Sequence, residues 1–141
     1  MSDTPTPARK GIPTPIMLTF VITLILAMVA IAWTQLPRAG ISTDLTVIGQ
    51  GQPVLVLTRD VNYLGGAQVL EMLKPIQGDY AERATFRIAH LGQPDGRSFA
   101  DRHGTSDGDI TLLDAKGNLL ETVVEPPNAA QVEDLLSRHG I

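Results

Sequence analysis

The sequence predicts an α/β domain, a mixed sheet with helices on both faces, behind a single N-terminal transmembrane helix. Three observations predict it. Residues 16–36 form an uncharged apolar stretch long enough to cross a bilayer. Beyond residue 44, short apolar runs of strand length alternate with segments of helical period. Near the end, two strand-like runs flank a polar turn containing Gly117, which implies a hairpin.

Residues 1–15 read as a disordered tail, with Pro5, Pro7 and several threonines and no apolar periodicity. The membrane segment follows over residues 16–36, with Ile16, Leu18, Phe20, Leu24, Leu26 and Val29 as lipid-embedded side chains. Trp33 falls where an interfacial aromatic belt lies. Thr19 and Thr23 can return their hydroxyls to the helix's own carbonyls. Ala30-Ile-Ala32 also fits a signal-peptide cleavage site, but the apolar stretch exceeds the usual signal core of about 7–15 residues. Arg9 and Lys10 precede the helix and Arg38 follows it. That bias favours a cytoplasmic N-terminus, which in a Gram-negative bacterium means an inner-membrane single-pass topology with a periplasmic C-terminal domain.

Residues 37–44 read as a linker and residues 45–141 as the folded domain. Leu45 to Ile48 is a short strand candidate closed by Gly49 and Gly51, and Pro53 to Thr58 is an apolar run suited to a strand covered on both faces. Arg59 to Gly66 reads as a loop ending in Gly65-Gly66. Val69, Leu70, Leu73 and Ile76 recur at helical spacing, with Pro75 either kinking or ending the helix and Gly78 as its stop. Thr85 to Leu91 alternates as a strand, and Arg97 to His103 suits a short helix. Asp109 to Leu113 and Leu119 to Val124 form the hairpin strands. The last helix has Asn128 at its N-cap, Gln131 three residues on, and a stripe of Val132, Leu135 and Leu136. The expected order is β-β-α-β-α-β-β-α, with the early strands parallel across their helical crossovers and the last two antiparallel.

Two segments carry a family resemblance. Pro53-Val-Leu-Val-Leu-Thr58 resembles the thioredoxin family's central strand before its active-site loop. Asp109-Ile-Thr-Leu-Leu-Asp-Ala-Lys-Gly117 resembles its later strand and turn, and the paired leucines near the C-terminus resemble its last helix. The resemblance spans residues 45–141 and implies the thioredoxin fold. It also implies where the family's chemistry would lie. The Cys-x-x-Cys would fall near Tyr63-Leu-Gly-Gly66, and the facing cis-proline at Asp109; this chain has neither. The resemblance therefore implies the scaffold without thiol–disulfide exchange, which needs a thiolate.

Composition narrows the function further. The chain contains no cysteine, so a thiolate nucleophile, a disulfide and a Cys-ligated metal are excluded. From residue 40 onward there are 8 Lys and Arg against 14 Asp and Glu, a formal charge of −6. Such a domain is a poor partner for nucleic acid and for anionic headgroups. No cofactor and no small-molecule substrate is indicated. His90, His103 and His139 show no paired metal spacing, and Asp101, Asp107 and Asp109 lack the EF-hand pattern. Gly65-Gly66 lacks the Gly-Lys-Ser/Thr of a phosphate loop. Tyr63 stands out, either as a partly exposed aromatic that meets a partner or as a side chain packing the loop to the core. The expected contact set is Tyr63, Leu64, Gly65, Gly66 and Asp109. The expected function is a redox-inactive, non-enzymatic interaction module, an accessory subunit or assembly factor of a respiratory or photosynthetic membrane complex. The alternative is an enzyme of unrecognised type using polar groups around Asp109 and His103.

Overall fold

The computed structural model describes residues 19, 21–28 and 40–141. The chain divides into two compact units, residues 1–38 and 39–141. In the first, residues 21–28 are helical. The Thr23 hydroxyl donates to the Thr19 carbonyl at 2.9 Å, which neutralises a polar group on an apolar helix. Val21, Ile22, Leu24, Ile25, Leu26 and Met28 are all exposed. Among the described residues no helix is long and apolar enough to cross a membrane. Ile16, Leu18, Phe20, Val29 and Trp33 of the expected span lie outside the described residues.

The second unit has four strands and three helices: β1 (Val54–Arg59), α1 (Gly65–Ile76), β2 (Thr85–His90), α2 (Pro94–His103), β3 (Ile110–Leu113), β4 (Leu119–Val123) and α3 (Ala129–Arg138). The sheet order is β2-β1-β3-β4. β1 and β2 pair in parallel, from Val54 opposite Thr85 to Arg59 opposite His90. β1 and β3 pair antiparallel, as do β3 and β4. The continuous apolar run of β1 follows from its central place, since residues 54–58 are wholly buried.

Alternation then sorts the side chains to two faces. Leu55, Leu57, Phe86, Ile88, Ile110 and Leu112 meet α1 and α3 through Leu73, Val132, Leu135 and Leu136. Val54, Val56, Ala89 and Leu113 meet Phe99 of α2 on the other face. Gly96 lets α2 sit directly on the sheet: a Cβ there would lie 2.2 Å from the His90 carbonyl oxygen and 2.5 Å from the His90 nitrogen. α3 begins as its sequence requires, the Asn128 side chain accepting from the Gln131 N–H at 3.0 Å.

Four expectations are corrected. Leu45 to Ile48 is not a strand. Residues 46–49 form turns, because the Asp44 carboxylate accepts from the Thr46 N–H at 2.9 Å and the Thr46 hydroxyl at 2.6 Å and curls the chain. Leu45, Val47 and Ile48 instead pack on the Phe99 face. The folded body also starts before residue 45: Ile41 is buried, and Ser42 bridges Arg87 beside β2, within the expected linker. The helical crossovers do not make every early pair parallel. β2 leaves the sheet where His90 lies opposite Arg59, and β3 enters where Ile110 lies opposite Leu57. The α2 connection thus returns the chain to the end it left, and β3 runs antiparallel to β1. Finally, α1 starts at Gly65 and takes in Gly65 and Gly66 instead of beginning after them.

The C-terminal helix is tied to the edge strand. Glu121 of β4 accepts from Arg138 at 3.1 Å and meets the His139 Nε2 at 2.9 Å. The His139 hydrogen bond, then the charge and hydrogen bond of Arg138, hold the Glu121 carboxyl below its ordinary value of 4.5. A carboxyl depressed on folding stabilises the native state above its unfolded pKa, and that contribution disappears as pH falls through the folded value. Thermal melts of the full chain are therefore expected to lose stability below about pH 4.5. Glu121→Gln is expected to flatten that acid limb; an unchanged limb would assign it to other carboxyls.

Candidate functional site

The site forms at the end of the sheet where β1 gives way to α1. Residues 60–64 turn tightly, with the Asp60 carboxylate accepting from the Asn62 N–H at 3.0 Å and the Asn62 side-chain amide at 2.7 Å. The chain then enters α1 without a local cap, since Leu64 at the N-cap offers no side-chain acceptor. The first N–H groups of a helix need partners from somewhere. Here the partner comes from 41 residues away, where the Asp107 Oδ2 accepts from the Gly66 N–H at 2.8 Å. The Asp107 Oδ1 accepts from the Asp60 N–H, also at 2.8 Å. One carboxylate thus caps α1 and fixes the start of the preceding loop, with its negative charge at the positive end of the helix dipole.

Gly66 is what permits this approach, and Gly65 leaves it unhindered. A Cβ on Gly66 would lie 2.2 Å from the Asp107 Oδ1, and one on Gly65 would lie 3.2 Å from the Oδ2. Asp107 is in turn held from below. The buried hydroxyls of Thr58 and Thr105 are hydrogen-bonded at 2.8 Å. The Gly108 N–H donates to the Thr58 carbonyl, and the Thr58 N–H to the Asp109 carbonyl, both at 2.9 Å. The Asp109 Oδ2 accepts from the Ser106 N–H at 2.7 Å. These bonds make 105–109 a braced turn that aims the Asp107 side chain at α1.

Over this frame lies a cavity of about 500 Å3, lined by Asp60, Tyr63, Leu64, Gly65, Leu91, Thr105, Ser106, Asp107 and Glu125. Glu125 follows β4 with φ at +37°, an uncommon backbone state outside glycine that sets it beside Gly65 and Gly108. Around the cavity Val61, Tyr63, Leu64 and Val124 are 60, 65, 78 and 72 % exposed, a large apolar surface for one end of a small domain.

The structure brings four of the five sequence-selected residues together here. Tyr63 and Leu64 are outward-facing, so the reading in which Tyr63 packs the loop to the core does not hold. Gly65 lines the cavity and Gly66 is a buried backbone donor. Asp109 is different: it is 6 % exposed, bonded to Ser106, and absent from the cavity lining, so its carboxylate braces the turn instead of meeting a partner. His103 packs on Phe99 with ring centroids 4.4 Å apart. Its burial, and then the charge of Arg102, hold its pKa below the usual 6.5. It makes no hydrogen bond to Asp109. His90 accepts from the Gly92 N–H and His139 meets Glu121, so the three histidines sit in separate settings. Among the described residues no three His, Asp or Glu side chains are placed to hold a metal ion.

Asp107 and Glu125 are the residues that sequence reasoning missed as site members. The available signal was negative and concerns Asp107 alone: a helix start reading Leu64-Gly-Gly66, with no Ser, Thr, Asp or Asn at the cap, leaves its first N–H groups to water or to a distant acceptor.

Solved structures share this fold, which is thioredoxin-like. A thioredoxin from Thermus thermophilus superposes with a TM-score of 0.62 at 13 % identity, covering 74 % of this chain and 89 % of the other. A chain from a structure of thiol resolution in yeast mitochondrial 1-Cys peroxiredoxin gives 0.58 at 14 %, covering 71 and 95 %. Thioredoxin O2 from Arabidopsis thaliana gives 0.55 at 5 %, covering 66 and 83 %. At these identities the likeness concerns the fold alone. No protein-family model and no curated protein sequence matches the chain.

Proposed function

We propose that this chain is a redox-inactive, non-enzymatic interaction module on a thioredoxin-like scaffold, tethered to the inner membrane by its N-terminal helix. In this reading it serves as an accessory subunit or assembly factor of a membrane protein complex, respiratory or photosynthetic, with its C-terminal domain in the periplasm. One observation carries the reading: the helix start that the family resemblance assigns to Cys-x-x-Cys is filled by the Asp107 carboxylate, in a chain without cysteine. The Gly66 N–H at that helix start is already bonded, and a carboxylate already sits at the positive end of the dipole that would stabilise a thiolate there. What the same end of the domain offers outward is contact surface, with Leu64 78 % exposed. The uncharged stretch of residues 16–36 supplies the tether, and a tether raises the effective concentration of the domain beside membrane partners.

Isolation from native membranes in mild detergent tests this. The wild-type chain is expected to bring a membrane protein with it in constant ratio, and Leu64→Asp to lose most of that protein while keeping its own melting temperature. A wild-type chain that runs alone at every expression level removes the reading. The enzymatic alternative rests on Asp109 and His103. A phenotype abolished by both Asp109→Asn and His103→Gln, with the fold intact and the co-isolated protein retained, would favour it instead.

A further inference from the structure

The groove above α1 has a one-sided charge. Asp60, Asp107 and Glu125 line it, and no Lys, Arg or His does. None of the three takes part in an ion pair among the described residues. Asp107 has both oxygens engaged with backbone N–H groups, whereas Asp60 uses one oxygen locally and Glu125 points into the groove beside Gly65. The remaining wall is mixed: Tyr63, Leu64 and Leu91 supply its apolar part, and Thr105 and Ser106 add polar lining.

This combination selects its occupant by charge complementarity. A metal ion is a poor match, because the carboxylates do not close into a set that could hold one. A Lys or Arg side chain fits both halves: its aliphatic stem lies along apolar walls while its head reaches dispersed carboxylates, and a guanidinium also stacks on a tyrosine ring. Val61 and Val124, next in sequence to the lining residues Asp60 and Glu125, are also exposed, so an occupant longer than a free small cation is favoured. We propose that the groove over the N-terminus of α1 receives an apolar segment of a partner protein carrying Arg or Lys, its cationic head between Asp60 and Glu125 and its stem against Tyr63, Leu64 and Leu91. This rests on the interaction-module reading and names the chemistry of the partner.

The test uses the full chain in detergent micelles, isotope-labelled for amide shifts, and two synthetic nonapeptides. One alternates Leu and Arg around a central Leu-Arg-Leu; the other has Glu in place of every Arg. The Arg peptide is expected to shift the amides of Leu64, Gly65, Ser106 and Glu125. Its affinity is expected to fall at least about threefold in Glu125→Gln and again in Asp60→Asn, as for exposed ion pairs. Raising NaCl from about 50 to 300 mM should weaken it similarly, because exposed charge pairs are screened. The Glu peptide is expected to leave these amides unmoved. Equal binding of the two peptides, or an Arg peptide indifferent to Glu125→Gln and salt, overturns the proposal, and so does spermidine matching the Arg peptide at equal concentration. The two readings fail separately. If Leu64→Asp releases the co-isolated membrane protein while Glu125→Gln and Asp60→Asn do not, the contact surface stands and the cationic occupant falls. If none of the three variants releases it, both fall.

Discussion

Gly96→Ala is expected to destabilise the domain by about 3 kcal/mol, at the upper end of what overpacking a core costs. The reason is what the added methyl would meet. A Cβ at this position lies 2.2 Å from the His90 carbonyl oxygen, 2.5 Å from the His90 nitrogen and 2.6 Å from the His90 carbonyl carbon. All three are backbone atoms of β2, which is fixed along its length to β1 and cannot yield as a side-chain tip would. Relief requires α2 to lift from the sheet, which would open the contacts of Phe99 with Val54, Val56, Ala89 and Leu113. The intrinsic helix preference of alanine over glycine, about 1 kcal/mol, offsets only part of this. Urea unfolding of the full chain measures it. A loss below about 1 kcal/mol would mean that α2 rides on the sheet more loosely than these distances allow. Against a total stability of about 5–15 kcal/mol, the expected loss is large.

Asp107→Ala is expected to cost about 2–3 kcal/mol, from the loss of a helix cap and a second charge-assisted hydrogen bond. The Gly66 and Asp60 N–H groups would lose their acceptor together. Asp107→Asn retains one acceptor oxygen and is expected to recover roughly half of the loss. Gly66→Ala should resemble Asp107→Ala, because its Cβ would occupy the space of the Asp107 Oδ1 at 2.2 Å. The double variant should then cost much less than the sum of the single changes, since both break the same contact. Additive losses would show that Gly66 and Asp107 act independently.

The parts of the fold that were legible in the sequence are those that local rules decide. The apolar run of β1, the alternation of β2, the Gly117 turn and the Asn128 cap each carry their own instruction, and each appears where expected, with Gly117 at φ +86°. Where two local signals competed, the weaker-looking one prevailed. Leu45, Val47 and Ile48 suggested a strand, but Asp44 offered the backbone a turn, and their side chains found burial without strand pairing. The direction of β3 was not legible, because an αβ connection does not state which end of the sheet it returns to. The candidate site was half legible. Tyr63, Leu64, Gly65 and Gly66 were selected through the resemblance and the loop position, and they stand beside the cavity. Asp109 was selected for its place in the resemblance, yet its side chain serves the turn. Asp107 and Glu125 entered only through contacts between segments far apart in the chain, which no window of neighbouring residues encodes.

Because a single carboxylate holds two amides six positions apart, they form one kinetic unit. Whenever the 105–109 segment swings away, Asp60 and Gly66 lose protection at the same instant, and their hydrogen-exchange rates should track each other across temperature and denaturant. A binder gripping the Ser106 side of the groove would slow both without touching either, so the exchange of Gly66 becomes a remote gauge of occupancy.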